Sequence, residues 1–226
     1  MNYKMGIKAN ILTIKEALPE HVTLVAVSKT KTVADIQQAY DAGQRIFGEN
    51  KIQEMAEKFE LLPKDIEWHM IGHVQSNKVK YMAGFVSLIH GVDSFKLLSE
   101  INKQAAKQSR VIDCLLQVHI AEEDTKFGLD SNELSELLNS DEFRSLSNIK
   151  IKGLMGMATF TEDQQQIKKE FSSLKTLFDN LKSISSLNNL DPTILSMGMS
   201  GDYEHAIECG STMVRIGSSI FGGRNF

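Results

Sequence analysis

Apolar runs rich in β-branched residues alternate about eight times with helix-periodic stretches along 226 residues, with no composition break and no linker between them. Strict strand–helix alternation implies a parallel sheet. Eight units in a chain of this length predict an α/β fold of one kind, a closed (β/α)8 or TIM barrel, here with an extra N-terminal helix. The runner-up is an open doubly wound sheet; against it, no G-x-G-x-x-G follows the first strand. The whole chain, 1–226, is expected to form a single domain.

The elements follow in order. Tyr3, Ile7, Ile11, Ile14 and Leu18 lie at helical spacing up to Pro19. Val22-Thr23-Leu24-Val25-Ala26-Val27 is continuously apolar rather than alternating, as in a strand buried on both faces, and Ser28-Lys29 closes it. Ala34, Ile36, Ala39 and Tyr40 mark a helix stopped at Gly43. Residues 45–48 form a second strand ending in Glu49-Asn50, followed by a helix through Met55 and Phe59 to Pro63. Residues 66–71 form the third strand, closing on Gly72-His73, and 74–82 a third helix that carries Lys78 and Lys80 on a solvated face. Residues 85–90 form the fourth strand, 97–107 a helix, and 111–118 the fifth strand, ending at His119-Ile120. After a loop at 122–128, Leu134, Leu137 and Leu138 mark a helix, and 149–157 form the sixth strand. Phe171, Leu174, Leu177, Phe178 and Leu181 make the clearest amphipathic stripe in the chain. Residues 193–198 form the seventh strand, 202–209 a short helix capped by Gly210, and 213–216 the eighth strand, followed by Gly217-Ser218-Ser219-Ile220-Phe221-Gly222.

Bulk properties narrow the function classes. A formal charge of -4 and a pI of about 5.9 argue against a dominant nucleic-acid footprint. No apolar stretch reaches the length of a membrane span, and the N-terminus lacks the form of a secretory signal. Cys114 and Cys209 match no metal spacing; Cys114 reads as a buried core thiol, and a reducing, cytoplasmic location is expected.

In a barrel all strand carboxyl ends share one mouth. That gathers Lys29, Asn50, His73, His119, Met157, Ser196, Ser200 and Arg215. Lys29 reads either as a solvated strand-end residue or as an amine able to attack a carbonyl. His73 and His119, each alone, read as satisfied loop-start histidines, and Met157 and Met199 as packing residues. The end of the chain is more specific. Met197-Gly198-Met199-Ser200-Gly201-Asp202 is a glycine-spaced turn with a hydroxyl, and Arg215-Ile216-Gly217-Ser218-Ser219 is a second small-residue turn. Loops after strands seven and eight commonly build phosphate sites in such barrels. A lysine and a phosphate cradle on one mouth suit a phosphorylated aldehyde: pyridoxal 5′-phosphate (PLP) held as a Schiff base, or the substrate of a Schiff-base phosphosugar aldolase.

The motifs Ala26-Val27-Ser28-Lys29-Thr30, Phe47-Gly48-Glu49-Asn50 with Gln53-Glu54, and Trp68-His69-Met70-Ile71-Gly72-His73-Val74-Gln75-Ser76-Asn77-Lys78 occur in order along the chain. Gly153-Leu154-Met155-Gly156-Met157, Ser196-Met197-Gly198-Met199-Ser200-Gly201-Asp202, Val214-Arg215-Ile216-Gly217 and Ile220-Phe221-Gly222 follow them. Together they resemble the PLP homeostasis proteins (the YggS/PROSC family), related to the N-terminal domain of alanine racemase. The resemblance implies a single-domain barrel with PLP bound covalently to Lys29. It also implies phosphate contacts from Ser200 and the Ile216-Gly217 turn, Arg215 directed at the pyridine nitrogen, and Asn50 lining the cofactor face. The candidate cofactor-binding set is therefore Lys29, Asn50, His73, Ser196, Ser200, Arg215, Ile216 and Gly217. One departure is local: Gln117-Val118-His119-Ile120 carries a histidine where the family motif leads one to expect asparagine.

The leading function is a PLP carrier that stores the cofactor or delivers it to PLP-dependent apo-enzymes, expected to be a monomer without robust catalytic activity. The alternative is an amino-acid racemase of the alanine-racemase type. That chemistry needs a second acid/base opposite the lysine, which in the resembled racemases is a tyrosine from the partner subunit, and a C-terminal β-domain. This chain is expected to lack such a domain, and of Tyr3, Tyr40, Tyr81 and Tyr203 only Tyr203 is expected near the mouth.

Overall fold

In the computed structural model the described residues are 6–122, 127–184 and 187–223. Tyr3, at the start of the expected first helix, and Glu123-Asp124-Thr125-Lys126 of the expected loop lie outside them.

Helix α1 (Ile7–Ala17) precedes eight parallel strands that close on themselves in sequence order. They are β1 (Thr23–Val27), β2 (Ile46–Glu49), β3 (Glu67–Met70), β4 (Leu88–Val92), β5 (Ile112–Gln117), β6 (Ile149–Met155), β7 (Leu190–Met199) and β8 (Met213–Ile216). The closing seam pairs β1 with β8, Ala26 standing against Ile216. The intervening helices are α2 (Val33–Asp41), α3 (Ile52–Leu61), α4 (Phe95–Lys107), α5 (Ser131–Asn139), α6 (Asp141–Arg144), α7 (Gln164–Lys182) and α8 (Tyr203–Glu208), with α9 (Ser218–Phe221) after the last strand. No helix among the described residues is long and apolar enough to cross a membrane.

Strand alternation explains the continuous apolar runs. One set of side chains, Val25, Leu88, Leu115, Met155 and Met213, packs into a cluster of its own within the barrel. The alternate set, including Ala26, Phe47, Trp68, Ile89, Leu116, Leu154, Leu195 and Val214, joins the larger core shared with the helices. Helix α7 contributes Ile167, Phe171, Leu174, Phe178 and Leu181 at helical spacing, as its stripe predicts.

Three expectations are corrected. The fourth strand is Leu88–Val92 rather than 85–90, because the apolar Phe85 and Val86 serve packing instead of the ladder. Phe85 stacks on Phe59 of α3, centroids 4.1 Å apart, and Val86 is buried in the turn before the strand. The third helix is a short 3-10 turn, Ser76–Tyr81, with only Val79 buried, so it lacks the stripe that would anchor a full α-helix. Of the small-residue turn expected over 215–219, Arg215 and Ile216 end β8, and Ser218 and Ser219 open the four-residue α9. Helix α6 was not expected; Ser140 caps it by accepting the Phe143 N–H.

Candidate functional site

Barrel closure brings two ends of the chain together at the mouth. Lys29 follows β1 and is half-buried. Gly217 follows β8 so closely beside β1 that a Cβ on it would lie 3.2 Å from the Val27 Cβ and carbonyl oxygen. The Gly217 N–H donates to Ser200 Oγ at 3.2 Å, which joins the turn after β7 to the turn after β8. The first N–H groups of α9 have no partner in a helix ladder, so the Ser200 hydroxyl and this turn offer several donors side by side.

Arg215 lies within the barrel and is 4% exposed. Its Nη1 donates to Ser196 O at 2.9 Å and Ser196 Oγ at 2.6 Å, and its Nη2 to Gly156 O at 3.1 Å. No carboxylate hydrogen-bonds to it among the described residues. Guanidinium has five N–H donors, so some remain for a further acceptor. Burial lowers its pKa to about 10, against the pull of Asp202, and it stays charged at neutral pH.

From Ser196 a hydrogen-bonded string crosses the barrel. His90 Nδ1 lies 3.1 Å from Ser196 Oγ, and His90 Nε2 lies 3.1 Å from His69 Nδ1. Burial holds His69 down to about 3, and burial, His69 and Arg215 together hold His90 well below the ordinary histidine value. Both rings are therefore neutral, each with one donor and one acceptor nitrogen, as the string requires.

This neutrality predicts a pH dependence. Unfolded, the two histidines take up protons as pH falls below about 6.5; folded, His69 does so only near 3. The unfolded state thus binds more protons between these values, and stability falls as pH falls, by about 1.4 kcal/mol per pH unit for each histidine. Glu49 and Asp113, raised mainly by burial, run the opposite way, so variant and wild type are compared at matched pH. In urea titrations between pH 6 and 4, His90→Gln should lose about 1.4 kcal/mol per unit of this slope. An unchanged slope rules out a neutral buried His90.

Asn50 follows β2, and its Oδ1 is buried without a hydrogen-bond partner among the described residues. It lies against the end of β3, since a Cβ on Gly72 would meet the Asn50 carbonyl oxygen at 2.6 Å. His73 stands apart from the interior groups. It is exposed, 3.3 Å from Asp93 Oδ2, and its ring stacks on Phe127 with centroids 4.3 Å apart. Thus Lys29, Ser200, Ile216 and Gly217 gather at the β1–β8 seam, and Ser196 with Arg215 lies inside. His73 is engaged in contacts of its own. His69 and His90 were read from sequence only as strand residues; their one signal was a polar residue inside an apolar run.

A family model described as the alanine racemase N-terminal domain matches residues 5–225. A pyridoxal phosphate homeostasis protein of Pasteurella multocida is 40% identical over 208 residues, which covers 91% of this chain and 88% of the relative. The chain belongs to the pyridoxal phosphate homeostasis protein family. Among solved structures, PipY of Synechococcus elongatus, with PLP bound, is similar at a TM-score of 0.86 and 34% identity, covering 96% of this chain and all of PipY. Alanine racemase of Bartonella henselae, with covalently bound pyridoxal phosphate, is similar at a TM-score of 0.73 and 19% identity, covering 97% of this chain and 63% of the racemase; that likeness is one of fold alone.

The site residues fit PLP by their donor set. A phosphate needs several N–H and O–H donors, which the Ser200 hydroxyl and the first N–H groups of α9 offer, and a ring nitrogen needs one donor, which Arg215 has to spare.

Proposed function

We propose that this chain binds PLP reversibly as a Schiff base on Lys29 and serves PLP homeostasis by storing the cofactor or handing it to apo-enzymes. The carrying observation is the β1–β8 seam, which sets Lys29 next to the Ser200–Gly217 turn at the mouth above a buried Arg215 with no carboxylate hydrogen-bonded to it among the described residues. In this reading Ser200 and the Ile216-Gly217 turn bind the phosphate, and Arg215 donates to the pyridine nitrogen. Ser196 orients Arg215, Asn50 lines the cofactor face, and His73 borders the mouth. Bound PLP supplies an aldehyde for an amine and a ring that draws electrons from it. Guanidinium can only donate, so Arg215 keeps the ring nitrogen an acceptor and unprotonated, which weakens that electron demand. Such a site suits holding the cofactor more than turning over amino acids. The racemase alternative is not favoured: the alanine racemase compared above shares 19% identity, whereas the relatives at 34% and 40% are PipY and a homeostasis protein. A monomer in the cytoplasm completes the proposal.

The test is a spectrum followed by a transfer. Purified protein mixed with PLP should turn yellow with a Schiff-base absorbance band, and should then activate a PLP-dependent apo-enzyme when compared with an equal amount of free PLP. Protein that stays colourless with PLP sinks the reading, and borohydride trapping of a phosphosugar in preference to PLP would favour the aldolase. Sustained turnover of an amino acid would favour the enzyme.

A further inference from the structure

Behind Lys29 lies a buried charged cluster that the chemistry above does not use. Glu49, the last residue of β2, is fully buried, and Lys58 of α3 is 6% exposed. Lys58 Nζ spends its three donors on Glu49 Oε1 at 2.7 Å, Glu54 Oε1 at 2.7 Å and the Ser28 carbonyl oxygen at 2.9 Å. The Ser28 hydroxyl donates to Glu49 Oε1 at 2.6 Å, and the Thr30 N–H donates to Glu54 Oε1 at 2.6 Å.

These contacts grip the chain on both sides of Lys29. The Ser28 carbonyl belongs to the peptide plane before Lys29, and the Thr30 N–H to the plane after it. Peptide planes are rigid, so pinning both sets φ and ψ of Lys29 and with them the direction in which its side chain leaves the backbone. Thr30 itself sits at φ +64°, a left-handed conformation uncommon for a β-branched residue, and its N–H is satisfied there by Glu54. The capping box of α2, Thr32 with Asp35, fixes the next residues. A buried ion pair adds little net stability over well-packed apolar side chains. What these charges supply, and apolar side chains cannot, is two directed hydrogen bonds to the backbone around one lysine.

We propose that Glu49, Lys58 and Glu54 are positioning residues for Lys29, presetting its amine for a phosphorylated aldehyde held by the neighbouring turn. The proposal rests on the PLP reading above, and its test separates the two. Glu54→Ala removes the acceptor of the Thr30 N–H, Glu54→Gln keeps an acceptor oxygen, and Glu49→Gln/Lys58→Met removes the two buried charges together and with them the ammonium that holds Glu54, leaving only the part-exposed Glu54 carboxylate. Without PLP, amide exchange of Thr30 should be about tenfold faster in Glu54→Ala and the double variant, and within about twofold of wild type in Glu54→Gln. Titrated at the Schiff-base band, the first two should bind PLP about tenfold more weakly and Glu54→Gln nearly as wild type. Wild-type exchange and wild-type affinity in Glu54→Ala overturn the proposal, as does a loss in Glu54→Gln equal to that in Glu54→Ala. Should the double variant fail to fold, the Glu54 pair decides alone. A wild type with no Schiff-base band defeats the PLP reading, while Thr30 exchange still reports whether the cluster orders the backbone at Lys29.

Discussion

Lys29→Ala is expected to abolish the Schiff-base band completely while leaving the barrel folded. The side chain is half-buried and follows β1 rather than lying in either apolar cluster, so its loss should change stability by about 1 kcal/mol or less. The Ser200–Gly217 turn and Arg215 are untouched by the change, so the variant should still take up PLP, more weakly and with the spectrum of the free aldehyde. Two neighbouring lysines are held in contacts of their own. Lys31 Nζ donates to the carbonyls of Phe221, Gly222 and Gly223 at 3.2–3.3 Å, and Lys58 is locked in the buried cluster. A Schiff-base band that survives Lys29→Ala would move the reactive amine to another residue and remove the central role assigned to this position. Absorbance and borohydride trapping followed by peptide mapping check it.

Gly153→Ala is the substitution expected to damage the barrel most. Gly153 sits in β6 opposite Ile194 of β7, where the ladder register shifts. Its φ is +144°, and a Cβ there would lie 1.8 Å from the Ile194 carbonyl oxygen and 3.0 Å from the Phe178 ring. The obstacle is ladder backbone, which cannot swing aside as a flexible side chain would. Strain and overpacking together should cost about 3–5 kcal/mol, lowering Tm by roughly 10 °C in a chain of this size. Gly43→Ala is the matched control. Gly43 has φ +88° at the end of α2, but nothing lies within 4 Å of a Cβ there. Only conformational strain remains at that position, about 1 kcal/mol. Thermal or urea unfolding of the two variants separates the contributions. Equal losses would show that close approach to β7 is not what requires glycine at 153.

Where sequence reading and structure part, the causes are specific. Strand ends were legible because each is marked by chemistry as well as by pattern: Lys29 after the first apolar run, Ser200 and Gly217 after the last two. The fourth strand begins three residues later and ends two residues later than its apolar run suggests, because Phe85 and Val86 are apolar for a tertiary reason, Phe85 stacking on Phe59 of α3 and Val86 lying in the core, that no local period reveals. The buried groups were harder still. Glu49, Glu54 and Lys58 look in sequence like ordinary charges around a helix start, and Glu54 and Lys58 like a solvent-facing i,i+4 pair. Their function as a clamp exists only because β2 and α3 pack beside the end of β1. His69 and His90 are likewise distant in sequence from Ser196 and Arg215, and meet only across the closed barrel.

The order of the eight strands, the mouth on which their ends converge, and the candidate lysine and phosphate turn were legible in the sequence alone. Each is written locally, in periodicity and in the residues that end a strand. Which residues hold those groups in place was decided only by tertiary structure. Closing β8 onto β1 sets the Gly217 turn beside Lys29 and buries Arg215 over a string of neutral histidines, and packing β2 and α3 beside β1 brings Lys58 against the Ser28 carbonyl. The physical reason is distance: hydrogen bonds and desolvation act over a few ångströms, and the fold, not the order of residues, determines which groups come that close.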